Sequence, residues 1–237
     1  MSQRRDCRLF VLIGLSALSM AASLWLVFGY VPNEQIMGPV QRIFYFHVPS
    51  AWVAFLAFLV AAAAGLYYLL RFDWRLDAVQ VASAELGVVF STIALVTGSL
   101  WARPIWNTWW TWDPRLTTTL VMWLYYVAAS MLRGLVETPE RQARFSAVLY
   151  IIGFVNVPLV FLAIRLWTTI HPVLFTSSGF ALEPSMLLTL GMSVLALTLL
   201  YACVLAIRVR VGVLETEIST LQRHWSTLPH ADEGGLE

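Results

Sequence analysis

Apolar residues in this 237-residue chain gather into six long segments that are separated by short polar stretches. The segments cover residues 10–30, 51–70, 81–100, 116–132, 145–164 and 185–207. About 20 apolar residues in a helix cross the hydrocarbon core of a bilayer, and each segment reaches or approaches that length. The pattern predicts an all-α integral membrane protein, a bundle of six transmembrane helices. Residues 1–210 would form one membrane domain and residues 211–237 a polar cytoplasmic tail with an amphipathic start.

The first segment also has features of a signal peptide, because Arg4, Arg5 and Arg8 precede it and small residues follow. Its apolar run is longer than the roughly 7–15 residues of a typical signal-peptide core. We therefore expect this segment to remain in the protein as the first span.

The amino-acid composition indicates that most of the chain lies in lipid. Hydrophobic residues make up 59% of the sequence and charged residues 12%, whereas roughly a quarter of the residues in a soluble domain are charged. The net charge of +1 gives no bulk attraction to nucleic acid or to acidic partners. The two cysteines, Cys7 and Cys203, lie outside any Cys-x-x-Cys pattern, so no disulfide framework is indicated.

Arginine placement predicts the orientation of the bundle. All 15 basic residues are Arg, and cytoplasmic loops of membrane proteins carry the excess of basic residues. With both termini in the cytoplasm, eleven arginines fall on the cytoplasmic side and four on the other. The four are Arg42, Arg103, Arg115 and Arg165. Three connections, 31–50, 101–115 and 165–184, would then face outward.

The second outward connection, residues 101–115, is rich in tryptophan. Five of the eleven Trp lie between residues 101 and 112. If Pro104 begins a short helix, then Trp106, Trp109, Trp110 and Asp113 stand on one helical stripe. We call residues 101–115 the Trp-rich segment.

The Trp-rich segment has two interpretations. Tryptophan is enriched at membrane interfaces generally, but such belts are spread over many helix ends. The density in one loop instead favours a flat apolar platform. Arg103 and Arg115 flank this platform, so it suits a large planar ligand that carries carboxylates.

Two of the four histidines lie in outward connections, one on each side of the Trp-rich segment in sequence. These are His47 and His171; either one alone is more simply explained as structural or solvated. Together they could supply the two axial ligands of a haem iron. Pro49 fits the first turn of the second span, which would leave His47 just outside that helix, and His171 precedes a proline that disfavours helical geometry.

Local motifs predict several helix boundaries. Asp113 and Glu183 are each followed by Pro, the pattern of an N-cap and first helical residue. Pro158 lies inside the fifth segment and should kink it.

Glu85 is the ionisable residue that lies well inside a predicted span, and intramembrane acids are functional candidates. It sits near the cytoplasmic end of its helix, where the cost of a charge falls. We therefore expect a structural role, in which Glu85 snorkels or pairs with Arg75 or with the arginines of the tail.

Three stretches of the sequence carry a family resemblance. They are GSLWARPIWNTWWTWDPRLT over residues 98–117, RIFYFHVPSAW over residues 42–52, and NVPLV at residue 156 together with LWTTIH ending at residue 171. The first resembles the Trp-rich motif of the haem-handling (WWD) family of cytochrome c maturation, and together the three are most similar to its CcmC members. The longer CcmF-like and CcsA-like groups do not fit 237 residues with the motif near the middle.

The resemblance implies a non-enzymatic subunit of the bacterial inner membrane that binds haem b transiently and non-covalently at its periplasmic side. Its relatives present haem to the chaperone CcmE and associate with CcmD and with the ATP-driven exporter pair CcmA and CcmB. The implied iron ligands are His47 and His171. The implied cradle consists of Trp101, Trp106, Trp109, Trp110, Trp112 and Asp113, with Arg103 and Arg115 as less firmly transferable candidates for the propionates. Relatives usually carry Gly where this chain has Ala102 and Asn107. These two side chains affect how closely the backbone can approach a bound porphyrin.

Two other functions stay open at this point. A protein that moves haem through the membrane would need a polar route through the spans, and the sequence offers for it Glu85, Asn156 and the Pro158 kink. A component that attaches haem to apocytochrome, as CcsA-like proteins do, is the other alternative.

Overall fold

The computed structural model describes residues 2–167, 175–176, 179–180 and 182–227, and these are almost entirely helical. A π-helical turn, Leu26–Tyr30, continues the first helix, and a 3₁₀ helix, Pro39–Ile43, leads into the second. The α-helices are α1 (Ser2–Trp25), α2 (Phe44–Arg71), α3 (Trp74–Trp106), α4 (Pro114–Arg133), α5 (Pro139–Phe154), α6 (Asn156–Leu166) and α7 (Pro184–Thr227). The strands β1 (Phe175–Thr176) and β2 (Gly179–Phe180) form a two-residue antiparallel pair, a small departure from the predicted all-α fold.

Among the described residues, five helical stretches are long and apolar enough to cross a membrane. They are Cys7–Tyr30, Pro39–Arg71, Trp74–Trp106, Pro139–Ala163 and Pro184–Gln222. The prediction of a helical bundle suited to a membrane is therefore confirmed, and five of the six predicted spans coincide with these stretches. The remaining one, residues 116–132, coincides with α4, whose apolar run is interrupted by Thr117, Thr118 and Thr119.

Helix α4 runs antiparallel to α3. At its last residue, Arg133 pairs with Asp77 in the first turn of α3. Near its middle, the indole Nε1 of Trp123 donates to Thr92 Oγ1 at 2.8 Å. The end of α3, the start of α4 and the start of α2 thus lie at one end of the bundle, which we call the tryptophan end.

Small residues allow α2 to pack closely against its neighbours. Lipid tails are as apolar as the side chains, so helix association in a membrane depends on close packing. A Cβ on Gly87 of α3 would overlap the Phe58 ring of α2, and one on Gly65 of α2 would lie 3.1 Å from Ala147 Cα of α5. Phe58 stacks on Tyr126 of α4 with ring centroids 3.7 Å apart. Helices α2, α3, α4 and α5 therefore share one core.

A buried ion pair joins three helices at the end opposite the tryptophan end. The guanidinium of Arg133 forms a forked contact with Asp77, at 2.8 and 3.0 Å, and also donates to Ser146 Oγ at 2.8 Å. Gln80 Nε2 donates to the same carboxylate at 2.7 Å. The sequence analysis did not single out these residues, because their pairing depends on helices that are distant along the chain.

Glu85 has the structural role expected of it. Its carboxylate accepts from Arg208 Nη2 at 2.6 Å and from Arg208 Nε at 3.2 Å. Arg208 directly follows the sixth apolar segment and is one of the arginines predicted on the cytoplasmic side, so the expected pairing with an arginine of that side is confirmed. The pair connects α3 with α7.

The fifth predicted span is interrupted just before Pro158, where a kink is expected. Helix α5 ends at Phe154 and α6 begins at Asn156, with Val155 between them. Pro158 has no N–H to donate to the carbonyl of Phe154, and its ring would clash with that carbonyl in a regular helix. The fifth predicted span is therefore two helices.

Helix α7 is longer than a membrane crossing requires. It has 44 residues, or about 66 Å at 1.5 Å per residue, while the hydrocarbon core is about 30 Å thick. Ser23 Oγ of α1 lies 2.9 Å from Ser193 Oγ of α7, so α1 packs on the first half of α7. The second half continues without a break through the predicted tail as far as Thr227.

Candidate functional site

His47 lies inside α2 and not just outside it, which corrects the sequence prediction. The 3₁₀ helix leads directly into α2 at Phe44, so the helix has already begun before Pro49, which lies within it. The side chain of His47 therefore has a fixed helical base and points towards α3.

The hydrogen bonds of the His47 imidazole determine its tautomer. Nδ1 lies 3.0 Å from the carbonyl oxygen of Ala94 and 3.2 Å from Thr97 Oγ1, both on α3. A carbonyl oxygen can only accept, so Nδ1 carries the proton and donates it. In the neutral ring Nε2 then carries the lone pair. Metal-binding histidines commonly donate their other N–H to a backbone carbonyl, which orients the ring and raises its basicity.

The surroundings of the imidazole fit its ring closely. A Cβ on Gly98 would lie 3.0 Å from His47 Cε1 and 3.4 Å from Nδ1, so glycine leaves room for the ring. The indole of Trp101 packs on the other side, with ring centroids 6.0 Å apart. Trp101 is itself buried and contacts Phe44. The position of His47 thus depends on side chains from both α2 and α3.

Residues 107–113 of the Trp-rich segment are irregular, so the segment does not form the predicted helix. Helix α3 continues through Pro104 to Trp106, and α4 begins at Pro114. Asn107 ends α3 with φ +54°, a left-handed conformation in which asparagine is tolerated and glycine is most common. Residues 107–113 therefore leave the helix axis, and the proposed stripe of one helix face does not exist.

The tryptophans of this segment fall into buried and exposed groups. The Nε1 atoms of Trp101 and Trp110 are buried and have no hydrogen-bond partner within the described part of the chain. Trp109 and Trp112 are instead 57% and 75% exposed. Trp106 lies between the groups and contacts Trp101 with ring centroids 6.3 Å apart.

Two openings adjoin His47 and the tryptophans. A cavity of about 30 Å³ reaches His47 and is lined mostly by residues of the Trp-rich segment. A wider, apolar groove of about 520 Å³ lies beside it, and both include Ser99 and Trp110 in their walls. Its other walls are Leu95, Val96, Leu100, Trp112 and Leu120. The cavity has room for only a few water molecules, while the groove has the volume of a typical ligand site.

The charged residues of the segment make hydrogen bonds near its two ends. Arg103 Nη1 donates to the carbonyl oxygen and to Oδ1 of Asn107, and its guanidinium lies over the Trp109 ring, 5.9 Å from the centroid. Asp113 caps α4 as predicted, because its Oδ1 accepts from the backbone N–H of Arg115 at 2.9 Å. Burial lowers the pKa of Arg115, and the nearby Asp113 carboxylate opposes that shift.

The structure brings together part of the predicted site. His47, Trp101, Trp106, Trp109 and Trp110 line one cavity. Trp112 lines the adjoining groove, and Arg103 and Asp113 lie in the same segment. His171 lies outside the described residues. Sequence reasoning did not assign a role to Ala94, Thr97 or Gly98, although Gly98 begins the Trp-rich motif.

Comparison with known proteins gives a consistent assignment. The family described as CcmC, heme exporter protein C, matches residues 3–224. A heme exporter protein C of Bradyrhizobium diazoefficiens is 34% identical over 81% of this chain and 73% of its own length. The protein of that name from Escherichia coli K12 is 35% identical over 77% of this chain and 74% of its own. A ccmC-like mitochondrial protein of Marchantia polymorpha, named for cytochrome c biosynthesis, is 30% identical over 75% and 76%.

The family match extends over nearly the whole chain, and the relatives span bacteria and a plant mitochondrion. The matched range, residues 3–224, contains the part of the chain that surrounds the cavity. This chain belongs to the CcmC, heme exporter protein C, family.

Proposed function

We propose that this protein binds haem at the tryptophan end and delivers it for cytochrome c maturation. One observation carries the proposal. In a chain of the heme exporter protein C family, His47 donates its Nδ1 proton to a backbone carbonyl, and its ring borders a cavity walled by tryptophans. Haem is the cargo of the protein in this proposal and not a resident cofactor, so the protein performs no catalysis on it.

His47 and His171 are the proposed axial ligands of the iron. The tautomer of His47 leaves the Nε2 lone pair as the ligating group. Ligation by an imidazole is reversible, because the nitrogen–iron coordinate bond can form and break without covalent attachment of the porphyrin to the protein. A second imidazole from His171 would hold the other face of the iron.

The porphyrin is proposed to rest against the Trp-rich segment and the adjoining groove. Burying apolar surface contributes about 25 cal/mol per Å², and the groove walls are almost wholly apolar. The cavity beside His47 is too small for a porphyrin, so residues 107–113 must shift when haem binds. No helix restrains those residues.

The edges of the ligand have proposed partners as well. Arg103 and Arg115 can bind the propionates through charge-assisted hydrogen bonds. The exposed rings of Trp109 and Trp112 leave one edge of the site accessible to a second protein. We propose that the chaperone CcmE receives haem there, and that CcmD and the exporter pair CcmA and CcmB complete the complex in the bacterial inner membrane.

Six spans with both termini in the cytoplasm are the proposed topology. Helix α4 supports it, because its contacts with α3 extend from Asp77 at one end to Thr92 near the middle. An element that follows α3 for that distance crosses much of the same layer. The tryptophan end would then face the periplasm.

A role as a transmembrane haem channel receives less support. A second cavity of about 770 Å³ lies at the opposite end, with acidic and basic walls that include Asp77, Glu85 and Arg208. It shares no lining residue with the openings at the tryptophan end. Between them along α3 lies Gly87, which packs directly on Phe58. Helices α2 and α3 are thus in direct contact at this point, and the openings described above do not join one another across the bundle.

Haem delivery can be tested by measuring how much haem-loaded CcmE accumulates in cells. In cells that express the Ccm proteins, His47→Ala and His171→Ala should each abolish accumulation of haem-loaded CcmE. His224→Ala, in the distant end of α7, should leave it unchanged. Normal accumulation in both site variants would contradict the proposal, and loss of mature cytochrome with normal haem-loaded CcmE would favour the attachment function.

A further inference from the structure

One face of α3 forms the wall against which the His47 imidazole lies. Four residues of that face stand at i, i+3, i+4 and i+7, so their side chains follow one stripe of the helix. They are Ala94, Thr97, Gly98 and Trp101. The imidazole contacts each of them, through two hydrogen bonds, one close approach and one ring contact. Of the four, Thr97 is the residue that contributes a side-chain hydroxyl.

The hydroxyl of Thr97 has one hydrogen atom, and the geometry indicates where it points. Oγ1 lies 2.7 Å from the carbonyl oxygen of Ile93 and 3.2 Å from that of Ala94. Neither carbonyl can donate, so the hydrogen is directed to the backbone, mainly along the shorter contact. A lone pair of Oγ1 is then left for the Nδ1–H of His47, at 3.2 Å.

The Nδ1 proton of His47 therefore has two acceptors on α3. They are the carbonyl oxygen of Ala94 at 3.0 Å and Oγ1 of Thr97 at 3.2 Å. Two acceptors on one helix restrict the rotation of the ring and so fix the direction of Nε2. Hydrogen bonds accepted from the distal N–H also make an imidazole a stronger donor to a metal. The direction and the basicity of Nε2 thus depend on a side chain as well as on the backbone.

The hydroxyl also has a purely local explanation, because threonine in a helix often bonds back to the carbonyl four residues earlier. Thr198 of α7 makes that bond to Val194 at 2.6 Å. Thr97 differs in that its oxygen also faces an N–H of another helix, 50 positions away along the chain. Thr97 lines neither the cavity beside His47 nor the adjoining groove. It would therefore act on a bound ligand through the imidazole.

We propose that Thr97 is a positioning residue for haem binding. By accepting the Nδ1 proton of His47, it directs Nε2 and strengthens the bond from Nε2 to the iron. The inference rests on the proposed function, in which His47 ligates haem. Removal of the hydroxyl leaves the imidazole and its bond to Ala94 in place, so haem still binds but dissociates faster.

Thr97→Val tests the inference, because valine keeps the branched shape of threonine and removes its oxygen. The purified, detergent-solubilised protein is loaded with haem, and apomyoglobin is added in excess as the scavenger. We expect haem to dissociate about tenfold faster, the lower end of the effect of losing a partner of a metal ligand. The midpoint potential should become more positive, because a less basic imidazole stabilises ferric iron less.

Two further variants separate the oxygen from the packing of the side chain. Thr97→Ser keeps the oxygen and should restore the dissociation rate and the potential of the unaltered protein. Thr97→Ala lacks the oxygen and should behave as Thr97→Val. Thr198→Val is the matched control, since it removes the same local bond on α7, and both quantities should stay unchanged.

A measurement without haem distinguishes this inference from the haem-binding proposal. In haem-free protein with isotopically labelled histidine nitrogens, Thr97→Val should shift the Nδ1 resonance of His47, and Thr97→Ser should leave it in place. The resonance is identified by its loss in His47→Ala. Failure of the haem-binding proposal would leave this shift intact, and it would be recognised from an unchanged haem spectrum in His47→Ala.

Three results would overturn the inference. The first is an unchanged Nδ1 resonance in Thr97→Val, and the second is a haem dissociation rate in that variant equal to that of the unaltered protein. The third is the same loss in Thr97→Ser as in Thr97→Val, because the methyl group and not the oxygen would then account for the effect.

Discussion

Atoms on a different helix orient the imidazole of His47. The carbonyl of Ala94 and the hydroxyl of Thr97 accept or share the Nδ1 proton, and Gly98 leaves the space in which the ring lies. These contacts join residues about 50 positions apart. The histidine and the tryptophans could be found from the sequence as residue types. The groups of α3 that contact the imidazole could not be found in this way, because a contact between two helices leaves no local pattern in the sequence.

Gly98→Ala tests whether the fit around the imidazole matters. The new methyl group would lie 3.0 Å from His47 Cε1, closer than an ordinary contact, so the imidazole must shift from its present position. We expect haem affinity to fall about tenfold, as for loss of the groups that orient a metal ligand. The haem affinity is measured by titrating the purified protein with haem and recording the absorbance.

Gly191→Ala provides the control for that substitution, because nothing lies within 4 Å of its added Cβ. Both changes replace helical glycine by alanine, which has the higher helix propensity. Equal affinities of the two variants would mean that the position of His47 does not limit haem binding.

At the scale of elements, the sequence predicted helices well and the irregular segment poorly. Five of the six apolar segments each lie within one observed helical stretch and the fifth is divided between α5 and α6. The cap at Asp113 and the break before Pro158 follow from side-chain chemistry. The Trp-rich segment was predicted as a helix because its spacing suits one. The left-handed turn at Asn107 and the continuation of α3 past Pro104 decide its path instead.

Asp77→Asn tests the ion pair that joins α3, α4 and α5. Breaking a buried pair leaves an uncompensated charge and costs about 3–5 kcal/mol, and here both side chains are mostly buried, at 19% and 11% exposure. We expect a clear drop in the melting temperature of the detergent-solubilised protein. The site at the tryptophan end should keep its haem affinity at low temperature.

Glu85→Gln is the matched comparison, because its pair with Arg208 is about 40% exposed on both sides. Exposed pairs contribute about 0–1 kcal/mol, so its melting temperature should change little. If Glu85→Gln destabilised the protein more than Asp77→Asn, burial would not determine the contribution of these pairs.

For the whole molecule, the sequence predicted the membrane bundle and its arginine-rich side, while the crossing by α4 depends on packing. Leu135, just after α4, is 79% exposed, and Trp112, just before it, is 75% exposed. With six spans these residues lie on opposite sides of the membrane. The apolar content of α4 alone does not settle this, because three threonines interrupt it.

Single-cysteine variants at the two positions test the crossing. In the background without native cysteines, a membrane-impermeant maleimide applied to spheroplasts should label Trp112→Cys and spare Leu135→Cys until the cells are opened. Labelling of both variants from outside would place the two ends of α4 on the same side and contradict six spans.

The central claim for the whole molecule is that two imidazoles, distant along the chain, share one haem iron at the tryptophan end. The absorption spectrum of the purified, detergent-solubilised protein tests it most directly, with haem added to the unaltered protein and to the His47→Ala and His171→Ala variants. We expect the unaltered protein to show a low-spin bis-imidazole Soret and α-band pattern, and each variant to lose it. An unchanged pattern in both variants would contradict it.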